Sequence, residues 1–390
     1  MKIGLNAHLL SQRASYRSAG IAGYIANLLR FLPAQAPDGW HFEALVGAAN
    51  TARFERVKTS RAVLDTQSPL RRIVWEQALQ PLKLRQYDLY HALAFVAPIV
   101  LLAPMVVTVY DLSFMRYPER LRPARRRYLR QMTALTCARA RRVLAISQST
   151  ADDLVAWLGV PADKIDVTPL GYDRQVFRPL SAADSARFRL EQRLPERFWL
   201  YLGTLEPRKN LSTLLRAYRR LSKAERLPLI LGGGLGWRGQ AILAEISQLG
   251  LGDSVKHIGF IPAADLPFWY NCADAFLYPS VFEGFGLPVL EAMACAAPVV
   301  TSDAAALVEV AGTVGKHLPA SDIDAWAAAL KRVKRDENWR EAAGAAGLER
   351  AQRFSWERTA ELTVGSYRRA LADGHLPQRK SEKAAGVEST

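Results

Sequence analysis

The sequence predicts an α/β protein in which two doubly wound parallel sheets, one in each domain, face each other across a cleft. Its 390 residues correspond to two or three domains at about 150 residues each. Short apolar runs alternate with stretches whose apolar residues recur at helical spacing, which favours parallel strands covered by helices on both faces. The alternation occurs in two successive series of similar length, so we expect two domains of the same architecture.

The first series predicts six strands and an early helix. The strands are expected at 2–6, 42–46, 89–91, 105–109, 143–146 and 165–168. The helix is expected at 23–31, because Ile25, Leu28 and Leu29 fall on one face of it.

An uncharged stretch at 92–110 interrupts this series. It is long enough to be considered as a membrane span. Pro98 and Pro104 interrupt it, however, and its end is rich in β-branched residues. A loop followed by a buried parallel strand is therefore the preferred interpretation.

The second series predicts five more strands, followed by helices. The strands are expected at 198–203, 229–231, 255–258, 275–278 and 299–301, with helices beginning at Leu211 and covering 322–353 and 356–371. The predicted organisation is a first domain at 1–178, a linker at 179–197 and a second domain at 198–355. A C-terminal helix at 356–374 is considered as a segment that crosses back to the first domain, and a polar tail at 375–390 is expected to be disordered.

The composition excludes several classes of protein. With 49% hydrophobic and 23% charged residues, the chain is neither disordered nor collagen-like. Cys137, Cys272 and Cys295 lie far apart, which argues against a disulfide scaffold or a zinc site of cysteine pairs and fits a reducing compartment. No secretory signal is recognised, so a cytoplasmic protein is expected.

The positive charge is concentrated in the first half of the chain. Residues 1–180 hold 25 basic and 13 acidic residues, whereas the rest holds 27 and 24. Ten arginines lie in the segment 116–142, where Arg122, Arg126 and Arg130 share one face of a predicted helix. The opposite face is expected to be apolar, with Leu121, Tyr128, Met132 and Leu135.

Three interpretations of this basic segment stay open. It is a solvated surface, a nucleic-acid patch or a patch that binds an anionic membrane. Nucleic acid is disfavoured, because no nucleic-acid-binding motif is present and aromatic residues are not interleaved with the arginines.

The segment from Tyr278 to Ala294 has the pattern of a site for a phosphate and a sugar. Gly284 and Gly286 stand between a predicted strand and a predicted helix, where a ligand can approach the backbone. The start of the helix favours an anion, and Glu283 or Glu291 could accept the hydroxyls of a ribose. The alternative is a glycine loop with solvated acids.

A second segment, Gly203 to Asn210, also lies between a strand and a helix. Arg208 and Lys209 are adjacent cations beside the start of that helix, which suits a diphosphate. The alternative is a capped helix with two solvated side chains.

Together these segments resemble the retaining glycosyltransferases of family 4, which have the GT-B fold of two Rossmann-like domains. The pair Glu283 and Glu291, with seven residues between them, matches the acidic motif of the family, and residues 207–210 match its diphosphate-binding segment. Weaker matches lie at 75–77, 88–91, 111–113, 146–147 and 354–356. The resemblance covers nearly the whole chain.

The resemblance implies roles for the matching residues. Arg208 and Lys209 would hold the donor diphosphate and stabilise the charge of the leaving group, and Glu283 would bind the hydroxyls of the donor sugar. Glu291 would bind the ribose. The other implied donor-binding residues are Gly20, Gly23, Tyr110, Gly203, Gly233, Gly284, Phe285, Gly286 and Leu287. The two cations and the helix dipole would replace a metal ion, so neither a metal nor a cofactor is expected.

The resemblance further implies transfer of a sugar, with retention, from a nucleotide-sugar donor to a lipid-linked or polysaccharide acceptor. Mannose or a rhamnose-like sugar is favoured, in cell-surface polysaccharide biosynthesis at the cytoplasmic face of the membrane. The alternatives are a sugar-nucleotide epimerase or phosphorylase of the same fold, or a non-catalytic nucleotide-sugar-binding protein. The last stays open because Tyr110 precedes Asp111 and Leu112 where many members of the family have a histidine.

Overall fold

The computed structural model describes residues 1–10, 19–64, 66 and 68–372, and within them the chain forms two parallel sheets. The first sheet has the strand order β3-β2-β1-β4-β5-β6-β7. Its strands are β1 Lys2–Asn6, β2 His41–Val46, β3 Val57–Arg61, β4 Leu89–Ala92, β5 Met105–Val109, β6 Arg142–Ala145 and β7 Ile165–Val167. Each pair of neighbours is parallel.

Helices connect these strands and cover the sheet. They are α1 Ala19–Gln35, α2 Pro69–Val74, α3 Gln80–Leu84, α4 Ser113–Arg116, α5 Pro123–Arg139 and α6 Gln148–Leu158, with a π-helical turn at Trp75–Leu79 joining α2 and α3. On α1, Ile25, Leu28 and Leu29 are fully buried, as their helical spacing predicts.

The second sheet has six strands in the order β10-β9-β8-β11-β12-β13. They are β8 Trp199–Leu202, β9 Leu229–Gly232, β10 Val255–Gly259, β11 Ala275–Tyr278, β12 Val299–Ser302 and β13 Lys316–Leu318. Every side chain of β8 is buried, which is the signature of a parallel strand covered on both faces. The fold class predicted from the sequence is therefore confirmed.

The helices of the second half are α7 Ala182–Glu191, α8 Leu211–Arg219, α9 Gly239–Gln248, α10 Leu266–Cys272, α11 Leu287–Ala294, α12 Ala305–Ala311, α13 Ile323–Arg335, α14 Glu337–Ala351 and α15 Trp356–Ala372. The last of these, α15, packs against α1 on the first sheet, where the Tyr367 hydroxyl lies 2.6 Å from His91 Nδ1 and Ser366 donates to Asp166.

Three local expectations need correction. Strands β3 and β13 were not predicted, because β3 has the largely polar sequence VKTSR and β13 has only three residues. The segment predicted as a linker contains α7, whose Phe188 stacks on Phe268 at 5.0 Å between ring centroids. On α5, Met132 is buried as predicted, but Leu135 is 39% exposed.

The uncharged stretch at 92–110 forms a loop followed by the buried strand β5, as predicted. Within the described ranges, no helix combines the length and the apolar character needed to cross a bilayer. The predicted tail at 375–390 lies outside the described residues.

Candidate functional site

A cavity of about 490 Å³ lies between the two domains, at the carboxyl ends of their strands. This is the edge at which open parallel sheets bind ligands. The first domain contributes Gly20, Phe95, Tyr110 and Asp111 to the lining. The second contributes charged residues from the loops after β8 and β11, two strands that are neighbours in the sheet.

Four charged residues form one network here, and Arg208, Lys209 and Glu283 of that network line the cavity. Glu206, Lys209 and Glu283 are buried, and the Arg208 side chain is 12% exposed. Glu283 Oε1 lies 2.5 Å from Lys209 Nζ, and Glu283 Oε2 lies 2.9 Å from Arg208 Nη1. Arg208 also pairs with Glu206, with 3.0 Å between Nη2 and Oε1. Two cations and two carboxylates thus balance each other in a site largely removed from water.

Burial and charge pairing act in opposite directions on the pKa values of this network. Burial disfavours the ionised form of Glu283, but Arg208 and Lys209 outweigh it and lower its pKa to about 2. Burial lowers the pKa of Lys209 to about 8, although Glu283 opposes that shift. Near neutral pH the carboxylate is therefore charged, and Lys209 is mostly charged.

Backbone geometry fixes the two cations. Residues Pro207–Lys209 form a 3-10 turn, and Asn210 ends it with a left-handed backbone, φ 56°. The Asn210 side-chain amide donates to the carbonyls of Pro279, at 3.1 Å, and Ala320, at 2.6 Å. Since Val281 N–H also donates to the Arg208 carbonyl, at 3.0 Å, the loops after β8 and β11 are held together.

Glu291 lies in the first turns of α11 and also lines the cavity. Burial raises its pKa to about 7, although the Tyr270 hydroxyl donates to Oε2 at 3.1 Å and opposes the shift. Gly286 precedes the helix with φ 112°, a conformation that glycine adopts at little cost. Glu291 thus lies in the lining of the same cavity as Glu283.

Gly284 brings this wall against the first domain. A Cβ atom at position 284 would lie 2.2 Å from the Tyr110 carbonyl oxygen, so no other residue fits without a shift of backbone. The Ser147 hydroxyl donates to the Gly284 carbonyl at 2.6 Å. Phe285 is buried and packs edge-on against Phe354, with 5.9 Å between ring centroids.

Most residues that the sequence analysis assigned to the site line this one cavity. They are Gly20, Tyr110, Gly203, Arg208, Lys209, Gly233, Glu283, Gly284, Phe285, Gly286, Leu287 and Glu291. Gly23 is not among the lining residues and lies one turn into α1. The residues 11–18 that precede Gly20 lie outside the described residues.

Tyr110 lines the cavity, but its hydroxyl is already engaged. It donates to the Leu93 carbonyl at 2.7 Å, so it holds the loop after β4. His91, which falls in the weak match at 88–91, does not line the cavity: it is fully buried, and burial lowers its pKa to about 3.

Sequence reasoning missed several lining residues, among them Thr204, Phe260, Tyr270 and Tyr278. Tyr278 contacts the charge network, because Lys209 Nζ donates to its hydroxyl at 2.5 Å. The available signal was position, since Tyr278 is the last residue of β11 and therefore lies at the carboxyl edge of the sheet.

No group of three His, Cys, Asp or Glu side chains that could hold a metal ion occurs in the part of the chain that the structure describes. The positive groups that line the cavity in that part are Arg208 and Lys209. The arrangement is suited to an anion that carries hydroxyl groups nearby.

Two family models together match most of the chain. A family model described as "Glycosyl transferases group 1" matches residues 183–350, and one described as "Glycosyltransferase Family 4" matches residues 19–176. The chain is 36% identical over 291 residues to the O-antigen chain mannosyltransferase B of Escherichia coli, covering 73% of this chain and 76% of that protein. It is 33% identical over 249 residues to a D-inositol 3-phosphate glycosyltransferase of Paenarthrobacter aurescens, covering 62% and 60%.

Solved structures show the same fold. Sucrose-phosphate synthase from Thermosynechococcus elongatus has a TM-score of 0.76 at 24% identity, covering 95% of this chain and 99% of that one. The Anabaena protein Alr3699/HepE in complex with UDP and glucose has a TM-score of 0.71 at 21% identity, covering 94% and 99%.

Proposed function

The chain belongs to the group 1 glycosyltransferases, and we propose that it transfers a hexosyl group from a nucleotide-sugar donor to a lipid-linked or polysaccharide acceptor in cell-surface polysaccharide synthesis. Mannose is the favoured sugar, because the O-antigen chain mannosyltransferase B and the serotype-specific mannosyltransferase WbdA of Escherichia coli are both relatives. The observation that carries the proposal is the buried network of Glu206, Arg208, Lys209 and Glu283 at the edge of the second sheet.

Arg208 and Lys209 bind the donor diphosphate. In transfer, an acceptor hydroxyl oxygen bonds to the anomeric carbon as the bond between that carbon and the phosphate oxygen breaks. Negative charge accumulates on the departing nucleoside diphosphate, which takes up the hydroxyl proton. Two fixed cations in a site of low dielectric stabilise this charge without reorganisation. They also support transfer without a metal ion, since their N–H groups can donate to the phosphate oxygens that a divalent cation would otherwise bind.

Glu283 binds hydroxyl groups of the donor sugar. With a pKa of about 2 it is a weak base, so it serves as a hydrogen-bond acceptor and not as the group that removes the acceptor's proton. Its two ion pairs hold it in position beside the diphosphate site. Such a fixed carboxylate orients the sugar for attack on the face from which the diphosphate leaves, and that geometry gives retention.

Glu291 binds the ribose of the nucleotide. It lies on the same wall of the cavity as Glu283, and the Tyr270 hydroxyl orients its carboxyl group. As a carboxylate it can accept both ribose hydroxyls, as acidic residues do in other nucleotide sites. Gly203 and Gly233 line the same cavity and let the loops after β8 and β9 pack closely, since a Cβ atom at position 233 would lie 2.0 Å from the Gly203 carbonyl oxygen.

The enzyme works as a peripheral protein at the cytoplasmic face of the membrane. The support is the excess of basic residues in the first domain, including the exposed Arg126 and Arg130 of α5. A lipid-linked acceptor would then reach the cleft from the bilayer surface.

The test is transfer by the purified full chain with a panel of nucleotide sugars and a lipid-linked acceptor, with and without EDTA. We expect a mannose-bearing donor to give the highest rate, one nucleoside diphosphate released per sugar transferred, an unchanged anomeric configuration by NMR, and full activity in EDTA. Loss of activity in EDTA that Mg²⁺ or Mn²⁺ restores would contradict the assignment of the two cations.

Other outcomes identify the alternatives. Epimerised donor without acceptor identifies an epimerase, and consumption of inorganic phosphate with release of a sugar phosphate identifies a phosphorylase. Donor binding without any turnover identifies a non-catalytic binding protein.

A further inference from the structure

The loop that follows β4 turns large apolar side chains toward solvent. Val100 is 68% exposed and Leu102 is 74% exposed, and Ile99 is also exposed. Ala97 and Leu101 of the same loop are buried. Some side chains of the loop therefore pack against the domain, while Ile99, Val100 and Leu102 face the solvent.

Hydrogen bonds to two helical segments hold this loop in place. The Gln77 side chain donates to the Ala97 carbonyl at 3.2 Å and accepts from Ile99 N–H at 2.9 Å. On the other side, Ala97 N–H donates to Thr136 Oγ1 at 3.1 Å, and the Arg139 guanidinium donates to the carbonyls of Ile99 and Leu101. The exposed side chains are therefore presented on a fixed backbone.

The same two helical segments extend the apolar surface. Leu70 and Val74 lie on α2, which leads directly into the π-helical turn that contains Gln77, and they are 76% and 54% exposed. Leu135 of α5 precedes Arg139 by one turn and is also exposed. We call the six residues Leu70, Val74, Ile99, Val100, Leu102 and Leu135 the apolar patch. Exposed apolar surface of this extent commonly marks an interaction site.

The segments that carry the apolar patch are rich in basic residues. Residues 69–142, which contain all of it, hold 14 basic and four acidic residues, a net charge of +10 out of +15 for the whole chain. Of the four acids, Glu76 is buried and hydrogen-bonded to Asn6. Arg71, Arg127 and Arg139 are exposed. These segments thus combine exposed apolar side chains with exposed basic ones.

The apolar patch lies close to the cleft. Phe95 belongs to the same loop and lines the cavity between the domains. Val100 is five positions further along the chain, so the Cα atoms of Phe95 and Val100 are at most about 18 Å apart. A molecule held against the patch is therefore within reach of the site.

We propose that the apolar patch inserts into the lipid bilayer while arginines of the segments that carry it bind anionic headgroups, so that a lipid-linked acceptor enters the cleft beside Phe95. Apolar insertion combined with basic contacts is the composition of interfacial membrane anchors. This inference rests on the proposed membrane partner and assigns the surface that binds it. A second copy of the chain is a poorer occupant, because a two-fold interface through this patch would bring its arginines together.

The experiment is binding of the full chain to vesicles of phosphatidylcholine alone or mixed with phosphatidylglycerol, at low and high salt. The parent should bind the mixed vesicles. V100S/L102S should bind them about tenfold more weakly or worse, because two inserted side chains become polar. L190S is the matched control, since Leu190 is 80% exposed on α7, outside the first domain, and it should bind like the parent.

A fluorophore distinguishes insertion from electrostatic contact alone. An environment-sensitive label on V100C should shift to the blue with mixed vesicles, while the same label on L190C should not, and the native cysteines are buried. An unchanged vesicle affinity of V100S/L102S, or no shift at position 100, would overturn the proposal. So would a dimer of the parent that V100S/L102S abolishes without any vesicle binding by the parent.

Activity on a water-soluble acceptor separates this proposal from the proposed function. V100S/L102S should retain that activity. If the parent binds vesicles through the patch but transfers no sugar to any acceptor, the proposed function fails and the membrane surface stands.

Discussion

The two walls of the cleft differ in the charge of the side chains that line them. The wall from the second domain carries the charges of Arg208, Lys209 and Glu283, which together with the buried Glu206 balance one another. The first domain contributes Gly20, Phe95 and Tyr110 and keeps most of its charge outside, on exposed arginines.

This difference determines where in the molecule the interactions between charges are strongest. A charge in a desolvated site interacts several times more strongly than the same charge at a surface, and added salt screens it less. The second-domain wall is therefore suited to hold one small anion in a fixed geometry. The outer surface of the first domain is suited to an extended contact made of many weak charge interactions, which added salt would weaken.

The largest effect is expected from removing a charge of the second-domain wall. R208A and K209A should each lower kcat/KM by about 10²–10³-fold, the usual effect of losing a group that stabilises charge in the transition state. The control is R216A, because Arg216 is an exposed cation of the same domain that pairs with Glu245. Steady-state kinetics check this, and equal losses in R208A and R216A would show that the effect is one of general charge.

A second comparison separates the two carboxylates of this wall. E291A should weaken binding of the nucleoside diphosphate by about 10-fold to 100-fold, because a charged group loses its hydrogen bonds to the ribose. E283Q should lower turnover but leave that binding within a few-fold, since the nucleoside diphosphate lacks the donor sugar whose hydroxyls Glu283 binds. Calorimetric titration of both variants checks this, and equal losses would contradict the assignment.

The pH dependence should reflect the same wall. The pKa of Glu291 is about 7, so the carboxylate that accepts the ribose hydroxyls forms as the pH rises toward 7. The pKa of Lys209 is about 8, so the charge that binds the diphosphate is lost as the pH rises beyond 8. We expect kcat/KM for the donor to be highest between pH 7 and 8, with both limbs set by the free enzyme.

E291Q supplies the control for this profile. It should flatten the acidic limb and leave the alkaline limb in place. A profile in which E291Q removes both limbs, or neither, would show that other groups titrate.

A smaller effect is expected where the two domains meet away from the cavity. Glu309 of α12 accepts hydrogen bonds from Gln148 N–H, at 3.0 and 2.9 Å, and from Ser149 N–H, at 3.3 Å, which are free donors at the start of α6. E309Q should weaken this contact and raise the KM for the donor by a few-fold at nearly constant kcat. The control is E341Q, because Glu341 is exposed on α14, and a KM shift shared by both variants would refute a role for the contact.

Much of the fold could be predicted from the sequence because buried parallel strands appear as continuous apolar runs. Strands β5 and β11 were predicted with the bounds that the structure shows. The edge strand β3 could not be, since four of its five residues are polar and only Val57 is buried. The exposure of Leu135 also depends on tertiary contacts, because the loop after β4 packs beside it.

The candidate site was predictable as separate motifs but not as a network. Arg208 and Glu283 are 75 residues apart, and only the pairing of β8 with β11 shows that they meet. The engagement of the Tyr110 hydroxyl by the Leu93 carbonyl has no signal in the sequence, because it depends on where a loop lies. The domain boundaries and the roles of the individual site residues stay predictions.

We propose that the two domains bind different partners: the second domain binds the donor, and the first binds the membrane. The most direct test measures two affinities, one for the nucleoside diphosphate and one for mixed vesicles. Both are measured on the parent, on K209A, on V100S/L102S and on the combined variant K209A/V100S/L102S. We expect K209A to lose only nucleotide affinity and V100S/L102S to lose only vesicle affinity. The combined variant should show both losses, each of the same size as in the separate variants. Loss of nucleotide affinity in V100S/L102S, or of vesicle affinity in K209A, would contradict this proposal.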